Sequence, residues 1–201
     1  MSPRHEGAVR FSAGFCLLSA WFAWANGWRM LLMVLGAASV HELGHCLALE
    51  AQGTRITGLR VGICGAVLES ESARLSYGGE LLAVLAGPGA NLLCALLLAA
   101  LKAGDWETAA GANLVLGGFN LLPVRPLDGG RALELLVSWA AGPAAGDRAA
   151  RWLGATAAAA LAALLVVVMA ESGGSLWLLP PAAGLLAAAG RELRGIRGGT
   201  A

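Results

Sequence analysis

Residues 40–49 read VHELGHCLAL, and that stretch decides how the rest of the chain is taken. Two histidines and a glutamate, His41, His45 and Glu42, sit in a run whose other members favour hydrocarbon. Ionisable groups at membrane depth are costly, and where they occur they mark functional sites. Composition argues that the surroundings are indeed membrane. The 201 residues are 57% hydrophobic and only 13% charged, against roughly 25% charged in a soluble domain. A formal net charge of +1 leaves no basic stripe of the density that nucleic acid requires, so no nucleic-acid partner is expected.

Apolar runs long enough to cross or nearly cross a bilayer fall at about 11–25, 28–50, 80–101, 107–122, 150–170 and 175–190. The expectation is therefore an all-α polytopic membrane protein with about six transmembrane helices, forming a single membrane-embedded domain over residues 1–201. No small-residue cleavage site follows the first run, which reads as a retained span rather than a signal peptide. Positive charge orients the bundle. With the N-terminus in the cytoplasm, twelve of the 14 basic residues fall on the inner side, leaving Arg29 and Lys102 outside. Both termini are then cytoplasmic, and Trp28, Trp106 and Trp177 lie near the outer interface as an aromatic belt. Cys16, Cys46, Cys64 and Cys94 form no CxxC pair and read as buried free thiols.

Two stretches depart from the pattern of simple spans. Residues 53–79, GTRITGLRVGICGAVLESESARLSYGG, alternate glycines with β-branched and apolar residues and read as a β-hairpin. Within a membrane its backbone would need cover from protein or water, and its edge would suit an extended peptide. An ordinary loop is the plainer alternative. Residues 119–131, FNLLPVRPLDGGR, end the fourth helix in an irregular turn through Pro123, Pro126, Gly129 and Gly130. A short amphipathic helix over 131–139 follows, and the alanine-rich run 155–163 reads as helix packing.

His41 and His45 stand one helical turn apart on one face, so both imidazoles can reach a single zinc ion, with Glu42 beside them as a general base. A catalytic zinc needs a third protein ligand. Candidates are His5, Glu50, Glu69, Glu71, Glu80 and Asp128. Pattern favours Asp128, because it follows the proline-rich break on the side of the membrane where the second span also ends.

These residues carry a resemblance. HELGH, then Gly87-Pro88-x-x-Asn91, then Asn120-x-x-Pro123-x-x-Pro126-Leu127-Asp128-Gly129 resemble, in order, three motifs of the site-2 protease family of intramembrane zinc metalloproteases. The resemblance implies one zinc per chain held by His41, His45 and Asp128, with Glu42 as the catalytic base. It places Asn91 and Asn120 near the reacting groups, as amides that bond substrate or support the oxyanion. It also implies a membrane-associated hairpin after the zinc helix. The segment between the second and third spans is too short for a PDZ domain, and the tail RELRGIRGGTA is too short for a CBS pair. The layout is most similar to the branch containing the stage IV sporulation protein FB, found in bacterial cell membranes, and implies sporulation-type pro-sigma factors among the substrates.

The expected partners are a membrane-associated protein substrate, the lipid bilayer and a membrane inhibitor protein. The other class of function considered is a catalytically inactive protein using the site for metal transport or for binding membrane clients. The retention of Glu42 with all three ligand candidates favours catalysis.

Overall fold

Helix α2, Trp28–Ala51, carries both histidines and sets the scale of the molecule. Its 24 residues, at about 1.5 Å each, run about 36 Å, more than the roughly 30 Å of bilayer hydrocarbon. The computed structural model describes residues 8–62, 65–70, 75–101, 105–171 and 179–198. His5, Cys64, Glu71, Lys102 and Trp177, which figure in the sequence reading, lie outside the described residues. The chain forms two compact units, residues 1–119 and 120–201.

In the first unit, strand β1 (Ala8–Phe11) leads into α1 (Ala13–Asn26), which Ser12 caps by accepting a hydrogen bond from the Phe15 N–H at 3.1 Å. Gly27, at φ 87, ends α1 and opens α2, a left-handed conformation that costs glycine little. Strands β2 (Ile56–Gly62) and β3 (Gly65–Ser70) follow. They pair antiparallel, Leu59 opposite Leu68, as the glycine-punctuated segment foretold. β1 was not anticipated. It adds to β2 in parallel, making a sheet of order β1-β2-β3. Four residues carry too little alternation to announce a strand, and the partner lies far away in sequence. Helices α3 (Tyr77–Ala100) and α4 (Asp105–Asn120) complete the unit.

Which residues face inward is informative. Ala37, His41 and Gly44 of α2 are buried, and so are Ala83, Gly87, Pro88, Asn91 and Ala95 of α3. Leu43, Leu47, Leu82, Leu93, Leu96 and Leu97 of the same helices are exposed. A soluble bundle does the reverse. Small and polar groups inside with leucine outside is the arrangement of helices that pack closely in lipid. Among the described residues, three helices are long and apolar enough to cross a membrane: α2, α3 and α6. The protein is a membrane protein, mostly helical; α1 and α4, at 14 and 16 residues, are shorter than those three.

The second unit begins with the turn 121–127, followed by α5 (Asp128–Ala141), α6 (Pro143–Glu171) and α7 (Leu179–Gly198). α5 starts three residues before the expected amphipathic stretch, with Asp128 as its first residue. The turn folds back on the start of α5 so tightly that a Cβ at Gly129 would strike the Leu121 and Leu122 carbonyls, and one at Gly130 the Val124 backbone. Val124, Ala158 and Ala189 form the unit's core, with Leu122, Leu127 and Leu185 against it. Buried Gly146, Ala150, Gly154, Ala158 and Ala162 recur every four residues along α6, which confirms the alanine-rich stretch as a packing face. Arg125 braces the turn from the other side. Its guanidinium reaches Glu134 at 2.9 Å, Asp147 at 3.0 Å and Glu192 at 3.7 Å, joining α5, α6 and α7. That last partner explains why α7 runs on to Gly198 rather than ending where hydrophobicity does.

The three described thiols are free but not buried: Cys16 is exposed, Cys46 and Cys94 half-buried. In a lipid-facing bundle an apolar position need not be an interior one.

Two glycines of α2 test the packing. At Gly36 a Cβ meets nothing within 4 Å, whereas at Gly44 it would run into the Ala86 backbone. Gly36→Ala is expected to be neutral or to stabilise by up to about 1 kcal/mol. Gly44→Ala should destabilise by about 1–3 kcal/mol. Thermal unfolding of both variants in detergent checks the contrast.

Candidate metal centre

One turn of α2 separates His41 from His45, and the α-helical backbone sets both rings on the side that meets α3. The rings meet edge to face, centroids 4.7 Å apart, with their Nε2 atoms 3.1 Å from each other. Their Nδ1 atoms are engaged elsewhere. His45 Nδ1 lies 2.8 Å from the Ala83 carbonyl oxygen, which can only accept, so Nδ1 carries the hydrogen and donates it. His41 Nδ1 lies 2.7 Å from Asn91 Oδ1 and likewise donates. Each ring thus donates from Nδ1, which leaves Nε2 of both as the atoms turned toward a shared point. The two Nε2 atoms face each other at 3.1 Å, close enough to share one cation, a proton or a metal ion.

This is the pattern of metal-binding histidines, which donate their second ring N–H to a carbonyl or carboxylate that orients them. With Zn–N bonds of about 2.0–2.1 Å, two nitrogens at this separation reach one ion. The residues present therefore fit zinc. His41 and His45 supply two of the donors that such an ion needs, both from α2.

Glycines allow the approach. A Cβ at Gly87 would strike the His45 ring at Nε2, Cε1 and Cδ2, so only glycine leaves room for it there. Pro88 follows inside α3 and gives up a backbone donor, yet the helix continues to Ala100.

Asn91 is fully buried, and its side chain is committed within the unit. Its Oδ1 accepts from His41, and its Nδ2 donates to the Ala37 carbonyl and to Asn113 Oδ1, both at 2.8 Å. No amide hydrogen is left for an oxyanion, so the expected substrate role of Asn91 gives way to holding His41. Asn113, 3% exposed on α4, was missed by the sequence reading. The available signal was an amide in an apolar helix, without a motif around it.

Glu42 is half-buried on α2. Asn120 closes α4, and Asp128 opens α5, both half-buried. Of the other acids weighed as ligands, Glu50 is exposed near the end of α2 and Glu80 lies in the first turn of α3.

Fold and site together define a helical membrane protein with a histidine-based metal centre. Comparison with known proteins narrows this. Residues 104–165 match the model of peptidase family M50, a stretch that includes Asn113, Asn120 and Asp128. A zinc metalloprotease of Methanocaldococcus jannaschii is 31% identical over 121 residues, covering 55% of this chain and 35% of that protein. Two relatives that also bear zinc-metalloprotease names are similar. The Synechocystis sp. protein sll0528 is 29% identical over 134 residues, covering 62% of this chain and 35% of its own length. Rip3 of Mycobacterium tuberculosis is 31% identical over 133 residues, covering 60% of this chain and 33% of its own length. The chain thus spans about a third of the curated relatives it matches. In fold it is similar to the solved site-2 protease of M. jannaschii, with TM-score 0.65 at 21% identity, covering 96% of this chain and 93% of that one.

Gly87→Ala should push the His45 ring out of place and weaken zinc binding by about 10-fold or more, the scale seen when ligand orientation is lost. Gly89→Ala, where a Cβ meets nothing within 4 Å, should leave it unchanged. Chelator competition on the purified variants gives the comparison.

Proposed function

We propose that the protein is an intramembrane zinc metalloendopeptidase acting on membrane-associated proteins. The observation that carries this reading is the imidazole pair: two Nε2 atoms at 3.1 Å, on rings held by their Nδ1 atoms, on a helix that places a glutamate next to the first of them. In this reading His41, His45 and Asp128 hold one zinc ion, and the two units act as a single membrane-embedded domain. When bound, zinc supplies a Lewis acid that polarises a carbonyl and lowers the pKa of water to about 7.

The chain's own residues do the rest. Glu42 takes the proton of the attacking water and passes it to the leaving amine as the peptide bond breaks. Asn120 donates its amide hydrogens to the substrate backbone. Asn91 keeps His41 oriented. A peptide bond inside a helix is shielded by its own hydrogen bonds, so the substrate must unwind before it can react. The β-sheet offers a partner for the extended form, which pairs along the β3 edge. This assigns the hairpin to the membrane surface and makes substrate presentation its work.

The positive-inside bias supports six spans with both termini in the cytoplasm, and hence cleavage on the cytoplasmic side of a bacterial membrane. The substrate class is then a membrane-tethered regulator, for which a sporulation pro-sigma factor is the instance suggested by the motifs' branch resemblance. A membrane inhibitor protein fits the same scheme as the restraint on activity.

Glu42→Gln separates chemistry from assembly. Purified in detergent and incubated with single-span and pro-sigma-like substrates, the wild type should cut. The variant should retain zinc and lose at least about 100-fold in rate, the lower end of what a general base contributes. Zinc content by mass spectrometry and product by gel measure the two halves. Full activity in the variant would remove Glu42 from the mechanism.

A further inference from the structure

One buried polar side chain has no part in the mechanism above. Asn113 sits on α4, 3% exposed, in a helix whose neighbouring side chains are mostly apolar. Burying an amide in such surroundings costs free energy unless each of its groups is bonded. Its Nδ2 donates to the Ala109 carbonyl one turn back at 3.0 Å, and its Oδ1 accepts from Asn91 Nδ2 at 2.8 Å.

The order of these bonds has a direction. An amide side chain can be turned over, exchanging its oxygen and nitrogen, so something must decide which end faces which neighbour. The Ala109 carbonyl can only accept, so it draws the NH₂ of Asn113 and leaves Oδ1 facing Asn91. That oxygen, together with the Ala37 carbonyl, then takes both hydrogens of Asn91 Nδ2. Oδ1 of Asn91 is left for His41, whose Nδ1 must supply a hydrogen. Nε2 of His41 is thereby the nitrogen left for a metal ion.

Turned the other way, Asn91 would present hydrogens to His41, and Nδ1 rather than Nε2 would carry the lone pair. It would also set its oxygen against the Ala37 and Asn113 oxygens. Two acceptors from different helices therefore hold Asn91 in the state that makes His41 a ligand. Both bonds are buried, where each counts for more than in water.

We propose that Asn113 is a positioning residue for His41, acting through Asn91 to fix the tautomer and ring orientation in which Nε2 can bind metal. The inference rests on the reading of His41 as a zinc ligand. It assigns α4 a role in the metal centre beyond packing.

The test is a double-mutant cycle read as zinc affinity, by competition with a chromophoric chelator at fixed pH on the full chain in detergent. Apo-protein thermal stability is recorded beside it. Asn113→Leu should weaken zinc binding by about 10–100-fold, as loss of an orienting partner does elsewhere. Asn91→Leu should weaken it at least as much. The double variant should bind no more weakly than Asn91→Leu alone, because Asn113 acts only through that residue. Asn113→Asp, protonated in its buried site, reproduces both bonds and should restore affinity to near the wild-type value. Asn113→Ala takes the place of the leucine variant if that fails to fold.

Additive losses in the double variant would reduce Asn113 to a packing residue and overturn the proposal. So would unchanged zinc affinity in Asn113→Leu, or an equal loss in Asn113→Asp. His41→Ala separates the two levels of the argument. If it binds zinc as the wild type does, the ligand assignment fails and the relay with it. If it loses zinc while Asn113→Leu does not, the relay alone is refuted.

Discussion

Two imidazole nitrogens 3.1 Å apart, on rings whose other nitrogens are both bonded elsewhere, are the constraint around which the first unit is organised. The arrangement needs a shared cation between the two nitrogens, a proton or a metal ion. It persists because every group that could relax it is tied down. His45 is held by a carbonyl of α3, and His41 by an amide that is bonded in turn to α2 and α4. Rotating either ring would leave a buried donor or acceptor unsatisfied, at a cost of about 1–3 kcal/mol each. The two nitrogens are thereby held at a separation that suits one shared zinc ion.

Holding rings this way requires helices closer than large side chains allow. Gly44 brings α2 against the backbone of α3, and Gly87 leaves the space the His45 ring fills. The second unit solves its own problem by the same means. Gly129 and Gly130 let the turn 121–127 lie on the first turn of α5, and the small-residue stripe of α6 receives its neighbours. In lipid, exposed leucine carries no penalty, so large side chains move outward and the interior is left to glycine, alanine and a few bonded polar groups. The membrane thus makes room for the chemistry. Arg125 adds a polar brace where the second unit turns from Asn120 toward Asp128, holding three helices through three carboxylates.

Much of this was legible in the chain itself. Hydrophobic run length located helices at all six expected places. The i, i+4 spacing of His41 and His45 put both on one face, the glycine-rich interval 53–79 read as a hairpin, and the prolines of 119–131 predicted the irregular turn. Each of these is a local property, carried by residues within a turn or two of one another. What escaped was non-local. β1 exists because β2 pairs with it across the length of α1 and α2. The end of α7 is extended by ion pairs to residues far back in the chain. Asn91 looked like a substrate-facing amide, and Asn113 like nothing in particular.

Sequence alone determined that this is a helical membrane protein, that a histidine pair and a glutamate share one of its helices, and that further motif residues follow in a set order. Tertiary structure alone decided what those residues face. Ring orientation, tautomer and the assignment of each amide hydrogen depend on acceptors contributed by other helices. Helical periodicity specifies the direction of a side chain but not what it meets. That depends on the approach of α2 to α3 and on an asparagine of α4 whose neighbours in sequence carry no sign of it.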